Sequence, residues 1–242
     1  MEFEMNMKYI TLKIKALITL ALLGSILGGC ATPTQYLSKQ DAFPAMYAQK
    51  PTSILVVPAI NDSTAADAGD YYSATIAPYL SYSGYYVLPI EITTEILRSE
   101  GIQDGHQLLG VPAEKFGALF GADAVLFVNI TEWDTNYYVL GGNVTVALGF
   151  LLKSTKTGET LWSYKVRREI STSGNSNNGG GILGAIIETA IKTSTQDYMP
   201  IAKKVNGMAI RTLPVGVYHP YHDKDQLIKN VHPAFVAKKD QR

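Results

Sequence analysis

One cysteine, Cys30, is all the sequence holds in 242 residues. No intrachain disulfide can form, so the fold must be held by its core alone. Net charge is also missing, since 21 basic side chains balance 21 acidic ones. Removing a leader that ends at Gly29 would take away three lysines and two glutamates, leaving one unit of negative charge. Nothing there supplies the basic patch that nucleic-acid binding needs. Charged residues make up only 17%, below the roughly one quarter usual in soluble domains. No apolar run reaches the roughly 20 residues needed to span a bilayer. The longest, Ala16 to Leu27, is broken by Thr19, Gly24 and Ser25. No Gly-x-Ser-x-Gly elbow accompanies the serines, which argues against a hydrolase. What is plentiful is tyrosine, at 15 residues. Tyrosine offers large amphipathic contact area at low entropic cost, which suits a surface touched by other proteins.

The N-terminal stretch is built differently from the rest. Lys8, Lys13 and Lys15 precede the apolar run, and Leu27-Gly28-Gly29-Cys30 follows it. A charged start, a short apolar middle and small residues before a cut describe a secretory signal peptide. Leu-Gly-Gly-Cys resembles the lipobox of bacterial lipoproteins. That resemblance implies a diacylglyceryl group on the Cys30 sulfur, cleavage before Cys30 and acylation of the new amino terminus. The bilayer, reached through acylated Cys30, is then the first partner. The plainer alternatives are an ordinary signal peptide with a chance cysteine, or a transmembrane anchor. Ala31, not aspartate, follows the cysteine, and resemblance to the enteric sorting rule implies the outer membrane. The expected organisation is signal peptide 1–29, lipidated tether 30–51, one α/β domain 52–213 and an extended tail 214–242.

Within the domain, Ser53-Ile54-Leu55-Val56-Val57 reads as a strand buried on both faces. Asn61 to Thr64 is a loop. Ala68 to Ser83 has a helical apolar face, although Pro78 predicts a kink or a start near it. Tyr85 to Pro89 is the second strand. Thr93 or Thr94 is placed to cap a short helix ending at Gly101. Pro112 opens the next helix, and Gly121 ends it after Phe120. Ala124 to Thr131 is the third strand. Tyr137 to Lys153 and Glu159 to Ile170 are long strands joined by a tight turn with Gly158 at positive φ. In the second of these, Trp162, Tyr164 and Val166 share one face, and Ser163, Lys165 and Arg167 the other. Ser171 to Gly181 is a polar linker. Ile182 to Asp197 and Ile201 to Thr212 are helical. This order predicts α/β: a mixed β-sheet flanked by helices, as a two-layer or three-layer sandwich.

Candidate chemistry is thin. His219 and His222 lie three apart beside Asp223, but in a tail without the three or four fixed ligands a metal wants. His106, after Asp104-Gly105, reads as a solvated loop residue, and Asp62, Asp67 and Asp70 as a solvated acidic loop. Gly141-Gly142 and Gly179-Gly180-Gly181 lack the lysine of a phosphate loop. No catalytic, cofactor or metal set is expected. The apolar Ile182 to Ile191 stretch either packs on the sheet or forms a two-fold interface, hence a homodimer.

Two blocks carry a family resemblance: Phe120-Gly121-Ala122-Asp123-Ala124-Val125-Leu126 and Lys156-Thr157-Gly158-Glu159-Thr160-Leu161-Trp162. With Ile54 to Pro58 and Ser83 to Val87, they resemble the periplasmic domain of the curli-secretion channel lipoprotein and the penicillin-binding-protein activator lipoproteins. That domain is similar to the TolB N-terminal domain. More closely, the chain resembles a family of proteobacterial lipoproteins of unknown function that includes a neisserial surface antigen. The resemblance implies a non-catalytic module that contacts other envelope proteins, among them a curli-channel-like lipoprotein. Every strand-like segment after Asp123 is needed for the core sheet, which leaves none for a membrane barrel. The alternative function is a periplasmic binding protein for a lipid, peptide or other small ligand, which would need a closed apolar pocket.

Overall fold

A run such as Ile54-Leu55-Val56 can be wholly buried only if both faces of its sheet are covered, and all three side chains have no exposure at all. The computed structural model shows how. It describes residues 15, 34–138, 141–171 and 199–236. Cys30 and the Ile182 to Asp197 stretch lie outside them. The chain divides into Met1–Gln35 and the compact unit Tyr36–Arg242. In chain order the described elements are β1 (Leu37–Ser38), α1 (Lys39–Ala42), α2 (Pro44–Gln49), β2 (Ser53–Val56), β3 (Ile60–Asn61), α3 (Ala68–Tyr82), β4 (Tyr86–Val87) and α4 (Ile90–Ser99). They continue with a 3-10 turn (Gly105–Leu108), α5 (Ala113–Phe120), β5 (Ala124–Tyr138), β6 (Gly141–Ser154), β7 (Thr160–Ser171), α6 (Met199–Ile210), β8 (Lys229–Val231) and a second 3-10 turn (Pro233–Phe235).

The main sheet runs β4-β2-β5-β6-β7, with β3 also paired to β5. β2 is parallel to β4 and β5, whereas β5, β6 and β7 are antiparallel hairpin partners. The sheet is therefore mixed, as the order of elements predicts. Alternation along the strands sorts the core. Ile54, Val56, Ala124, Leu126 and Val128 join Phe150, Leu152, Trp162 and Tyr164 in one cluster with Tyr72, Ile76 and Leu80 of α3 and Ile201, Val205 and Ala209 of α6. Leu55, Val57 and Val125 point the other way and meet Leu97 of α4 and Phe116 of α5. The parallel half is thus three layers deep. Past Val125 on that second face, β7 carries exposed Lys165 and Arg167, so the hairpin half has two layers and a wet face. A register shift between Ile130 and Glu132 adds one residue to β5. Such a bulge resets the alternation and brings Trp133 inward, where it is 2% exposed.

Several expectations need correction. α3 runs unbroken through Pro78, with no start there. Pro78 is exposed, as is Ala74, whose carbonyl loses its amide partner; both face water, which can replace that bond. α4 begins at Ile90 with Pro89 as its N-cap; Thr93 lies inside, its hydroxyl donating to the carbonyls of Pro89 and Ile90. Tyr137 and Tyr138 end β5 and do not begin β6. Polar Thr131, Asp134 and Asn136 hide the length of β5, because pairing with β6 and not apolarity extends it.

The largest corrections concern the two ends. Residues 39–49 of the expected tether are helices α1 and α2, and Phe43 and Met46 are core residues. Residues 214–236 of the expected tail are packed, with Leu213 and Val231 in the main cluster and β8 paired to β1. Gly84, at φ +88°, shows how tightly: a Cβ there would come within 2.5 Å of the His219 amide. Other readings stand. Gly121 ends α5 in the left-handed conformation at φ 70°, and Gly158 takes φ 68° in the hairpin turn.

Candidate functional site

Three places in the described residues combine shape with polar chemistry. The first lies at the carboxyl ends of the parallel strands. The connection after β2 carries α3 on one sheet face, and the next carries α4 and α5 on the other. Crevices open where the crossover direction switches in this way. A crevice of about 610 Å3 lies there, lined by Asn61, Asp70, Glu91, Glu95, Arg98 and Asp104 among others. It is open and carries several charged side chains, unlike the closed apolar pocket that a small-ligand carrier would need.

At its rim, His106 sits between two carboxylates. Its Nε2 is 3.0 Å from Asp62 Oδ1 and its Nδ1 is 3.2 Å from Asp104 Oδ1. Asp104 also caps the 3-10 turn by accepting the His106 amide, while Gln107 reaches back to the Asp104 amide. His106 is exposed, as expected, but its ring is held by two carboxylates. The Asp62 hydrogen bond, more than the Asp104 contact, raises the His106 pKa against the opposing effect of desolvation. The same His106 contact, helped by Asn129, lowers that of Asp62. The signs define a window. A raised imidazole pKa gives stability that is fully present below the unfolded value of about 6.5 and lost as pH rises through the folded one. A lowered carboxyl pKa gives stability present above its unfolded value and lost as pH falls through the folded one. Asp62→Asn should therefore move the His106 titration, followed by NMR, down toward the ordinary imidazole value. An unmoved midpoint would exclude Asp62 as the main cause.

The second place is the wet sheet face. Phe127, Gly149, Leu151 and Lys153 form the floor of a groove of about 320 Å3, with Leu109 and Val111 at its wall. Leu109 is 65% exposed. Beside the groove, Arg167 reaches across to Glu132, with Nε and Nη2 both 2.9 Å from Oε2.

The third place joins the two ends of the unit. Lys39 Nζ donates to Asp225 Oδ2 at 2.9 Å and to the Leu213 carbonyl at 2.7 Å. Asp225 also accepts from the Tyr47 hydroxyl at 3.0 Å and from the Val215 amide at 3.0 Å. Burial first, and then the Asp225 carboxylate, push the Tyr47 hydroxyl pKa up. No sequence period announces this cluster, since Lys39 and Asp225 are 186 residues apart.

The histidines His219 and His222 do not build a metal site. His219 Nδ1 accepts the Tyr221 amide, and Asp223 pairs with Lys50 at 2.6 Å. Among the described residues, no group of three His, Cys, Asp or Glu side chains is arranged to hold a metal. Asp123 has a longer reach than its turn suggests. It accepts the amides of Thr52 and Ser53 and the Ser53 hydroxyl, stapling β5 to β2. Burial raises its pKa, but Lys156 at 2.9 Å and these donors together outweigh that and lower it.

Comparison with known proteins agrees with the family resemblance read from the motifs. The protein of Neisseria meningitidis serogroup B named "Putative lipoprotein NMB1124/NMB1162" is 35% identical over 143 residues, which is 59% of this chain and 65% of that protein. The chain thus matches just under two thirds of that relative's length. The crystal structure of lipoprotein GNA1162 from Neisseria meningitidis is 33% identical, covers 59% of this chain and 96% of that one, and superposes with a TM-score of 0.48. The PelC dodecamer from Paraburkholderia phytofirmans is 18% identical, covers 76% of this chain and 95% of that one, and gives 0.40. The family model described as "Putative lipoprotein GNA1162-like" matches residues 42–217, so the chain belongs to the GNA1162-like family.

Proposed function

We propose that the protein is a lipid-anchored, non-catalytic module of the outer membrane, acylated at Cys30, that docks other envelope proteins against its wet sheet face. A curli-channel-like lipoprotein is the partner class implied by the motifs. One observation carries this reading: the folded unit begins at Tyr36, six residues after Cys30. Fully extended, six residues reach only about 20 Å. A 22-residue tether would have let the body range far from its anchor; this one keeps it at the membrane surface, among other membrane-attached proteins. The unit is also closed at its membrane end by β1–β8 pairing and by the Lys39–Asp225 ion pair. It is therefore presented as one compact unit, whose groove by Phe127 and Leu151 faces away from the main core.

A photo-crosslinking residue at exposed Lys165, used in intact cells, tests the reading. Discrete adducts to envelope proteins are expected. Crosslinks between copies would assign the face to self-association, to which the apolar Ile182 to Ile191 sequence also belongs in this reading. Absence of any protein adduct at Lys165 and at Lys153 overturns it. The crevice by Asp70 and Arg98, with its charged side chains, supports a second reading, binding of a small ligand that carries polar groups. Native mass spectrometry separates the two, because a ligand retained by the wild type and lost on Arg98→Ala supports only the second.

A further inference from the structure

We infer that the turn at Leu227–Ile228 seats the folded unit on the bilayer, beside its own lipid anchor, with anionic phospholipid as the surface it meets. This rests on acylation of Cys30. Leu227 is 83% exposed, the most exposed large apolar side chain among the described residues, and Ile228 is 47% exposed. A leucine presented in this way at a turn is free to enter an apolar surface, and its position says which.

The turn lies against the residues through which the chain leaves for Cys30. The Lys39 amide donates to the Ile228 carbonyl and the Gln40 amide to the Gln226 carbonyl, both at 3.1 Å. Leu37 and Ser38 pair with Val231 and Lys229. Tyr36, 48% exposed, sets its ring edge-on to His232 at 5.5 Å. The leash of about 20 Å therefore ends within a few residues of Leu227. Lys224 and Lys229 flank the turn and are exposed. Apolar tips with aromatic and lysine neighbours suit the interfacial layer, where the tips enter the acyl boundary and the ammonium groups meet phosphate. The turn is also held rigid. The Ile228 amide donates to the Asp225 carbonyl, and the Asp225 side chain is fixed by Lys39, Tyr47 and Val215. Seating the turn thus costs little ordering entropy.

The test uses the full lipoprotein in vesicles of phosphatidylethanolamine and phosphatidylglycerol. With the Cys30 sulfur acylated, Leu227→Cys supplies the only thiol, and its exposure lets it be labelled without disturbing the core. The control is Glu95→Cys on α4, whose side chain is 77% exposed. α4 packs on the second cluster and β8 on the first, so the sheet lies between them. A polarity-sensitive probe at 227 should shift to the blue and be quenched by nitroxide-bearing lipid several-fold more than the probe at 95. Equal quenching at both positions, or none at 227, overturns the seat. Shielding at 227 from a water-soluble quencher without quenching by lipid overturns it in favour of a second copy. Intact mass read beforehand keeps the two readings apart. An unmodified Cys30 overturns the anchor and the seat together, while an acylated protein with an unquenched 227 probe overturns the seat alone.

Discussion

Lys39→Met should lower the free energy of unfolding by about 3–5 kcal/mol, the usual cost of stranding one member of a buried ion pair. Asp225 is 1% exposed and Lys39 4%, so water cannot replace the lost ammonium. The carboxylate keeps the Tyr47 hydroxyl and the Val215 amide, but these neutral donors do not balance a full charge. The Leu213 carbonyl loses its donor as well. The damage is directional. Lys39 lies in α1 and Asp225 in the C-terminal segment, so the region after Leu213 should loosen first and become sensitive to protease at Lys224 and Lys229. Urea denaturation gives the magnitude. Lys39→Met with Asp225→Asn should recover most of the loss, because neutral asparagine keeps partners without a stranded charge. A single-variant loss below about 1 kcal/mol would put the pair in the class of exposed salt bridges and deny it the role of clasp.

That pair also shows where sequence reasoning runs out. Apolar runs and turn residues made β2, α5 with Gly121, and the β6–β7 turn with Gly158 legible, because local chemistry alone decides them. Trp162, Tyr164 and Val166 were legible as an inward row because a strand has period two. The clasp has no such signature. Lys39 and Asp225 look like surface charges until the fold brings them together, so α1, α2 and the packed C-terminal segment read as tether and tail. Phe43 and Met46 were the available signal, two large apolar residues four and seven positions after a buried lysine. At the crevice, Asp62, Asp104 and His106 were each visible, but Asp62 and His106 are 44 residues apart, and only β3 lying beside the 3-10 turn joins them. Asp123 likewise holds the start of β2, some 70 residues earlier in the chain, a pairing that only the fold creates.

Cys30→Ser should remove the protein from the membrane fraction while leaving the folded unit intact. The expectation separates anchoring from folding. Each buried methylene of an acyl chain contributes about 0.8 kcal/mol to membrane binding, and one chain alone holds only marginally, whereas two or more hold firmly. Serine offers no sulfur for the diacylglyceryl group, and no lipidated cysteine is then left to begin the mature chain and be acylated at its amino terminus. The change is therefore from several chains to none, not a graded weakening. The unit starting at Tyr36 owes nothing to position 30 in its described contacts, so its urea midpoint should match the wild type, opposite to Lys39→Met, which should stay acylated and be unstable. Fractionation, intact mass and denaturation of both variants form a two-by-two comparison. Acyl mass persisting in Cys30→Ser would put the lipid on another residue. A wild-type protein without acyl mass would end the argument that a six-residue leash holds this body at a membrane.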